Sequence, residues 1–306
     1  MKKLLITGGT GFVGGVLQKC LANPENPYGL ELVPPQSMEL RDPKGLAKLC
    51  AEAQPDLVIH LAAQSFVPQS FVNPQETFEI NFLGTLNLLQ ALKQSDFKGQ
   101  LLFIGSGDMY GLVSPESLPV TENFPLKPRN PYAVSKVAAE ALCYQWSQTE
   151  DMNIVMARPF NHIGPGQSER FVVSGFARQI AEIKLGRREA EISVGDIDVT
   201  RDFTDVRDVV RAYLLLLLQQ GKNGEAYNVC SGKETPIRQI LEQLMALAGV
   251  RANIKRDSAR FRLAEQRQVY GSCDKLRGAT GWQPEIQLEQ SLADNLNYWE
   301  WKLKHG

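Results

Sequence analysis

Short hydrophobic runs alternate with longer amphipathic segments along the first half of the chain. The runs are almost wholly apolar, which is typical of strands buried on both faces of a parallel sheet. Strands are predicted at residues 4–6, 30–33, 56–61, 101–104 and 153–157. Helices are predicted between them at residues 12–21, 44–53, 75–93 and 131–149. This alternation predicts an α/β fold with a doubly wound parallel (Rossmann) sheet and right-handed crossovers.

The alternation ends after residue 158. Residues 164–166 predict a turn, and residues 226–230 predict a strand that rejoins the sheet. Further helices are predicted at residues 170–185, 205–220, 237–247 and 288–302. We therefore expect residues 1–162, with roughly 196–232, to form a dinucleotide-binding domain. Residues 163–195 and 233–306 would form a smaller, mixed α/β substrate lobe over the crevice.

A glycine cluster follows the first strand directly. Gly9, Gly11 and Gly14 have the spacing Gly-x-Gly-x-x-Gly, and a helical pattern begins at once behind them. Such a turn lets the backbone approach a pyrophosphate closely and directs the helix N-terminus at it. The motif alone is weak, but its position between a strand and a helix predicts a dinucleotide site. The alternative is a structural turn that binds nothing.

Two residues of the helix at 131–149 suggest acid–base chemistry. Tyr132 and Lys136 lie at positions i and i+4, on one face of that helix. A nearby ammonium lowers the pKa of a phenol, so we expect Tyr132 to serve as a general acid or base. Ser106 follows the strand at 101–104, so its hydroxyl is expected at the crevice beside Tyr132. The alternatives are a surface tyrosine and a serine that caps its own turn.

Composition limits the binding partners and the cellular location that can be expected. The chain has 306 residues, 43% hydrophobic and 22% charged, and a net charge of −1, so no basic surface argues for nucleic acid or an anionic membrane. The apolar stretch at 214–218 is bounded by Arg211 and Gln219, which predicts a buried helix segment rather than a membrane span. Five scattered cysteines, without metal-ligand spacing, predict reduced thiols, no metal site and a cytoplasmic location.

Several motifs together resemble the extended short-chain dehydrogenase/reductases. They are Thr7-Gly8-x-x-Gly11-x-x-Gly14, Leu61-Ala62-Ala63, Asn81, residues 105–111 and Tyr132-x-x-x-Lys136. Residues 158–167, 201–208 and 227–232 are similar to the nucleotide-sugar branch, above all to GDP-4-keto-6-deoxy-D-mannose reductases. The resemblance spans the whole chain. It implies NAD(P)H-dependent reduction of the C4 keto group of GDP-4-dehydro-6-deoxy-D-mannose to GDP-D-rhamnose.

The resemblance also implies site residues. The catalytic residues would be Ser106, Tyr132 and Lys136. The cofactor would be bound by Gly8, Thr10, Gly11, Phe12, Val13, Glu39, Leu40, Leu61, Ala62, Ala63, Tyr132, Lys136 and His162. The GDP-linked sugar would be bound by Ser106, Gly107, Asn161, Val172, Arg201, Arg262 and Glu265. Alternatives stay open, since Glu39 or any one arginine could equally be a solvated charge, and Asn161 could hold its own loop. His60, inside an apolar strand, is expected to be a hydrogen-bonded core residue.

The region after the second predicted strand bears on cofactor preference. An acidic residue there selects NAD, and an arginine nearby accommodates the phosphate of NADP. Gln36 and Ser37 follow the prolines here, so neither signature is present. The missing acid favours NADPH, with NADH as the alternative.

Two further functions are possible on this scaffold: a 4,6-dehydratase or epimerase, and a non-catalytic dinucleotide sensor. The complete set of Ser106, Tyr132 and Lys136 argues against the sensor. Dehydratases of the family carry a glutamate, or an acidic pair, just before the tyrosine that matches Tyr110. Here Gly107 and Asp108 stand at those positions, which favours the reductase.

The two long helices at 75–93 and 131–149 also predict a homodimer. Apolar residues lie outside the main stripe of each helix: Leu83, Leu88, Leu142 and Trp146. Paired across a two-fold axis, these helices would form a four-helix contact. The alternative is a wide core face within one chain.

Overall fold

A six-stranded parallel sheet forms the centre of the protein. The computed structural model describes residues 1–23, 26–34, 38–257 and 266–306. The strands of the sheet are β1 (Lys2–Thr7), β2 (Leu30–Leu32), β3 (Leu57–His60), β4 (Gln100–Ile104), β5 (Asn153–Pro159) and β10 (Ala226–Val229). Their order is β2-β1-β3-β4-β5-β10, and every pairing is parallel. The doubly wound fold is confirmed, and its order reverses between β1 and β3, where such sheets bind ligands.

Helices cover both faces of this sheet. The helices around this sheet are α1 (Phe12–Ala22), α2 (Pro43–Ala53), α3 (Val67–Val72), α4 (Pro74–Phe78), α5 (Gly84–Gln94), α6 (Pro131–Thr149), α8 (Val206–Leu215) and α10 (Asp274–Thr280). Side chains of α1, α8 and α10 share one hydrophobic core with the sheet, and side chains of α2, α5 and α6 share the other. The strands are therefore buried on both sides, as their apolar runs predicted.

The helix predicted at 75–93 contains a π-helical turn. α4 passes through the turn Glu79–Leu83 into α5, and the turn buries Asn81. A π-turn widens the backbone by one residue and is frequent at functional sites. α8 continues in the same manner into a π-turn at Leu216–Gln220, which includes part of the buried apolar stretch.

A third core lies in the C-terminal part of the chain. It is built around three helices, α7 (Val172–Lys184), α9 (Ile237–Ala248) and α11 (Leu288–His305). Short strands pair around it: β6 (Asn161–Ile163) with β9 (Phe203–Asp205), β7 (Glu191–Val194) with β12 (Asn253–Arg256), and β8 (Thr200–Arg201) with β11 (Thr235–Pro236). Ile197, Val199 and Phe203 belong to this core. The exact domain limits stay a prediction.

The sequence predicts a buried helix rather than a membrane span, and reduced cysteines rather than disulfides. In the ranges that the structure describes, no helix is both long enough and apolar enough to cross a membrane. All five cysteines are free thiols, and four of them are buried.

Candidate active site

The glycine turn packs directly on the segment that follows β3. Gly8 has a φ of +73°, and a Cβ atom there would lie 2.7 Å from the backbone nitrogen of Ala62. A Cβ at Gly14 would lie 2.5 Å from the carbonyl oxygen of Gly8. Glycine is required at both positions, since a side chain would push these backbones apart. The structure thus brings Gly8 against the backbone of Leu61 and Ala62, and the Gly11 N–H donates to the Gly8 carbonyl at 3.0 Å.

The residues present fit a dinucleotide pyrophosphate. α1 begins directly after Gly11, and no side chain caps its N-terminus. The N–H groups of its first turn are thus suited to bind phosphate oxygens. The rings of Phe12 and His162 stack beside this turn, with centroids 6.1 Å apart and planes 8° from parallel. Burial lowers the pKa of His162, so the ring is neutral near physiological pH.

Leu40 and Glu39, two of the candidate cofactor-binding residues, differ in their exposure to solvent. Leu40 is buried against Gly84, since a Cβ atom added at Gly84 would lie 2.7 Å from the Cβ of Leu40. Glu39 is exposed and forms a two-pronged ion pair with Arg41, with both bonds at 3.0 Å. Hydrogen bonds from Arg41 lower the pKa of Glu39 to about 2. Gln36 and Ser37, on which the cofactor argument depended, lie outside the described residues.

The catalytic candidates converge where α6 meets the end of β4. The Asn130 side chain accepts a hydrogen bond from the Ala133 N–H at 2.7 Å, which fixes the start of α6. Tyr132 and Lys136 are both buried on the inner face of that helix. The Ser106 side chain is near enough to the phenol of Tyr132 to act on its pKa. The Ser106 hydroxyl also accepts the Asp108 N–H at 3.2 Å, so it caps its turn as well as facing Tyr132.

One electrostatic expectation was wrong. We expected Lys136 to lower the pKa of Tyr132, but burial, reinforced by Asp108, raises it well above the ordinary value, and only Ser106 opposes this. Burial also lowers the pKa of Lys136 to about 8. Its ammonium lies 4.8 Å from the centre of the Phe103 ring, which provides a cation–π contact. The site therefore holds a protonated phenol rather than a phenolate.

Asn81 positions the start of α6 from the opposite side. Its amide nitrogen donates to the Gln64 carbonyl at 3.1 Å and to the Ser135 hydroxyl at 2.9 Å. Its carbonyl accepts the Gln64 N–H at 2.8 Å. The Ser135 hydroxyl donates in turn to the Tyr132 carbonyl at 2.7 Å. The π-turn that carries Asn81 is therefore tied to the backbone of Tyr132.

His60 is a hydrogen-bonded core residue, as expected. Its two ring nitrogens lie 2.6 Å from the Thr7 hydroxyl and 3.0 Å from the Thr85 hydroxyl. Burial, with a smaller contribution from the charge of Lys136, lowers the pKa of His60 to about 3. His60 is thus a neutral link between β1, β3 and α5.

The substrate candidates that the structure describes differ in exposure and contacts. Gly107 lies against Phe160, since a Cβ at Gly107 would be 3.2 Å from that ring. Asn161 is exposed at the start of β6, and Val172 is 40% exposed at the start of α7. Arg201 donates to the carbonyls of Thr200 and Gln266, at 2.6 and 2.8 Å. The predicted residues Arg262 and Glu265 lie outside the described residues.

A buried carboxylate fixes the backbone next to Arg201. Asp202 accepts the N–H groups of Ser231, Gly232 and Gly271, at 2.7 to 3.2 Å, and the Ser231 hydroxyl at 2.6 Å. Burial raises the pKa of Asp202, while these donors oppose the change. Asp202 therefore holds the end of β10 and the segment before α10 against β8.

Comparisons with known proteins identify the family. Residues 35–295 match the family model described as GDP-mannose 4,6 dehydratase. The chain belongs to this family. It is 51% identical over 99% of its length to the GDP-6-deoxy-D-mannose reductase of Pseudomonas aeruginosa, of which it covers 99%. A solved structure of RMD from Pseudomonas aeruginosa, complexed with NADPH, superposes with a TM-score of 0.93, covering 99% of this chain and 100% of that one, at 51% identity.

Relatives with other activities are more distant. The GDP-mannose 4,6-dehydratase of Yersinia enterocolitica is 29% identical over 84% of this chain and 76% of its own length. The family thus includes both reductases and dehydratases by name, and the site residues must distinguish them.

Sequence analysis missed one prominent feature of the site, a buried ion pair between Glu140 and Arg158. Glu140 lies four residues after Lys136, which itself lies four residues after Tyr132. This repeated spacing on one helix face was the signal that could have revealed it.

Proposed function

We propose that this protein uses NADPH to reduce GDP-4-dehydro-6-deoxy-D-mannose to GDP-D-rhamnose. The observation that carries the proposal is the 51% identity, over nearly the full length of both chains, to a GDP-6-deoxy-D-mannose reductase. The grouping of Ser106, Tyr132 and Lys136 at the crevice supports it, because a ketone reductase needs a proton donor beside its hydride donor. The NADPH bound to the solved relative supports this cofactor, with NADH as the alternative.

Each polar group has a distinct role in this reaction. The bound NADPH supplies a hydride to C4 of the sugar. Ser106 donates a hydrogen bond that orients the keto oxygen, and Tyr132 transfers its phenolic proton to the oxygen as it becomes an alkoxide. Solvent reprotonates the tyrosinate that remains, and Lys136 would hold the nicotinamide ribose. The raised pKa of Tyr132 favours this direction, since the phenol must be protonated before the transfer.

The dehydratase alternative is disfavoured by the turn after β4. Loss of water from C6 needs a carboxylate within hydrogen-bond reach of the C5 proton. At position 107 a side chain would begin 3.2 Å from the Phe160 ring, so an acid there would have to displace that ring. Asp108 is one methylene shorter than the glutamate of the family dehydratases, and a shift of about 1 Å in a catalytic group can lower a rate by roughly 100-fold.

Product analysis tests the proposal directly. Purified protein is incubated with GDP-4-dehydro-6-deoxy-D-mannose and NADPH, with NADH in a parallel reaction. We expect NADPH to be consumed in step with GDP-D-rhamnose formation, identified by NMR of the isolated sugar nucleotide. A C4 epimer as the product would contradict the stereochemistry, and no consumption of either cofactor would contradict the reductase.

We also propose a cytoplasmic homodimer that forms a four-helix contact. One premise of the prediction was wrong, because Leu88 and Trp146 are buried in the core of their own chain. Leu83 is 45% exposed on the π-turn, and Tyr144 is 53% exposed on α6. These exposed apolar side chains support a contact between two copies of the chain. The free cysteines support a reducing compartment such as the cytoplasm. Light scattering at micromolar concentration should give twice the mass of one chain, and Tyr144→Glu should lower it; a wild-type monomer would refute the dimer.

A further inference from the structure

One buried carboxylate joins three segments that are distant from each other in the sequence. Asp202, directly after β8, is only 1% exposed. Its Oδ1 accepts the N–H and the hydroxyl of Ser231, at 2.7 and 2.6 Å. Its Oδ2 accepts the N–H groups of Gly232 and Gly271, at 3.0 and 3.2 Å. Donors on both oxygens leave this carboxylate little freedom to move, and they hold the three segments in one arrangement.

Two further hydrogen bonds hold the segment at residues 266–271 along β8. The Thr200 N–H donates to the Arg267 carbonyl at 2.9 Å. The Arg201 guanidinium donates to the Gln266 carbonyl at 2.8 Å. The carboxylate of Asp202 binds the last residue of the same segment. The position of the Arg201 guanidinium, a predicted substrate-binding group, therefore depends on where this segment lies.

Gly271 also packs against the ring that supports the catalytic turn. A Cβ atom at Gly271 would lie 2.7 Å from the Phe160 ring, and a Cβ atom at Gly107 would lie 3.2 Å from the same ring. Phe160 is only 7% exposed, so its ring is enclosed where it meets these two backbones. Gly107 directly follows Ser106 in the chain. Because protein interiors are closely packed, a shift of the Gly271 backbone would move the ring on which the turn of Ser106 rests.

We propose that Asp202 is a positioning residue for the keto-sugar nucleotide. It fixes the segment that holds the Arg201 guanidinium and that packs on the Phe160 ring, and it does not touch the substrate itself. This inference rests on the proposed reductase activity, because Arg201 and Ser106 are expected to bind the GDP-linked sugar in that reaction.

The variant Asp202→Asn tests the proposal. An amide of the same size keeps one acceptor oxygen but turns an NH₂ group towards two of the donors, so two of the hydrogen bonds are lost. The backbones next to Arg201 and Gly271 should then shift. The Kd for GDP, measured by titration calorimetry, should rise by about tenfold, since a displacement of about 1 Å can cost up to roughly 100-fold. The KM for the keto sugar should rise by a similar factor, with a smaller loss of kcat.

Cofactor binding provides an internal reference for this variant. Among the hydrogen bonds of the described residues, none joins Asp202 to the glycine turn or to the segment after β3. The Kd for NADPH, measured by fluorescence titration, should therefore stay at the wild-type value. A general loss of structure would weaken the binding of both ligands, so the difference between GDP and NADPH separates positioning from scaffolding.

A second buried carboxylate offers a matched control. Asp208 on α8 is 2% exposed and accepts the N–H groups of Glu285 and Ile286, both at 2.9 Å. Asp208→Asn should lower the melting temperature, as Asp202→Asn does, but it should leave the Kd for GDP unchanged. A wild-type Kd for GDP in folded Asp202→Asn protein, or an equal rise in Asp208→Asn, would overturn the proposal.

A second pair of variants keeps the test decisive if Asp202→Asn does not fold. Gly271→Ala leaves the carboxylate in place but adds a methyl group against the Phe160 ring, whereas a Cβ at Gly278 of α10 would meet no atom within 4 Å. Gly271→Ala should raise the Kd for GDP and Gly278→Ala should not, and wild-type GDP affinity in Gly271→Ala would refute the proposal.

The wild-type protein separates this inference from the proposed function. GDP binding without reduction of the keto sugar would refute the reductase alone, and the GDP titrations would still test the role of Asp202. A wild-type protein that does not bind GDP would refute the proposed substrate together with this inference.

Discussion

Two neighbouring glycines of α1 offer a sharp test of the cofactor site. Gly14 faces the glycine turn, and its missing side chain is what allows the helix to approach that turn. Gly15 is the next residue of the same helix, and a Cβ there would meet no atom within 4 Å. Gly14→Ala and Gly15→Ala therefore add the same methyl group to the same helix in opposite packing environments.

The expected magnitudes follow from the contacts. A Cβ at Gly14 would lie 2.5 Å from the Gly8 oxygen and 2.6 Å from the Gly9 Cα, so relief to about 3.5 Å requires a shift of roughly 1 Å. Such overpacking costs about 1–3 kcal/mol, partly offset by the ~0.5–1 kcal/mol by which alanine favours a helix over glycine. Gly14→Ala should thus be destabilised by up to about 2.5 kcal/mol, whereas Gly15→Ala should gain about 0.5–1 kcal/mol.

Cofactor affinity should separate the variants further. The shift in Gly14→Ala moves the N–H groups of the first turn of α1 away from the phosphates. A loss of about 1.4 kcal/mol of binding energy corresponds to a tenfold weaker Kd for NADPH. Fluorescence titration with NADPH measures the Kd, and urea unfolding measures stability. Equal NADPH affinity in the two variants would refute the assignment of this turn as the pyrophosphate site.

Three other predictions concern Tyr132, the buried His60 and the choice between reductase and dehydratase. Tyr132→Phe should retain NADPH binding but lose about 100-fold or more of turnover, and wild-type turnover would remove Tyr132 from the mechanism. His60 stays neutral when folded, with a pKa of about 3, whereas the unfolded chain gains a proton below about pH 6.5. The free energy of unfolding of the wild-type protein should therefore fall between about pH 7 and pH 5, and this fall should be about 2 kcal/mol larger than the fall in His60→Asn. Urea unfolding at both pH values measures it, and equal falls in the two proteins would contradict the prediction. GDP-mannose with NADP⁺ should give no sustained ketosugar absorbance in alkali, and formation at a rate comparable to reduction would make the protein a dehydratase.

The sequence predicted the bounds of helices and strands best where a capping residue or a continuous apolar run marks them. The helix predicted at 131–149 has the observed bounds of α6, because Asn130 caps it and Pro131 suits its first position. The strand predicted at 101–104 differs from β4 by one residue, since an apolar run buried on both faces leaves little ambiguity.

Other features depend on tertiary contacts that no local pattern contains. β8 has two residues and β9 has three, which is too short for a period to be recognised. The π-turn at Glu79–Leu83 shifts the helical register, and its sequence still reads as an ordinary helix. Leu88 and Trp146 lie outside the main apolar stripes but are buried, because they belong to the core that α2, α5 and α6 share with the sheet. The raised pKa of Tyr132 reflects burial, which the Tyr-x-x-x-Lys spacing does not reveal.

That burial also determines the direction of the chemistry. Removal from water disfavours charge on both catalytic groups, so the pKa of Tyr132 is raised while that of Lys136 is lowered to about 8. Below about pH 8 both groups hold their protons, which is the state required to protonate an alkoxide. A dehydratase begins by oxidising a C4 hydroxyl, and that step needs the phenolate of Tyr132 as the base. Burial is the main cause of this protonated state and Asp108 contributes to it, so it favours reduction separately from the missing acid at Gly107. Loss of the Lys136 proton should limit reduction at alkaline pH.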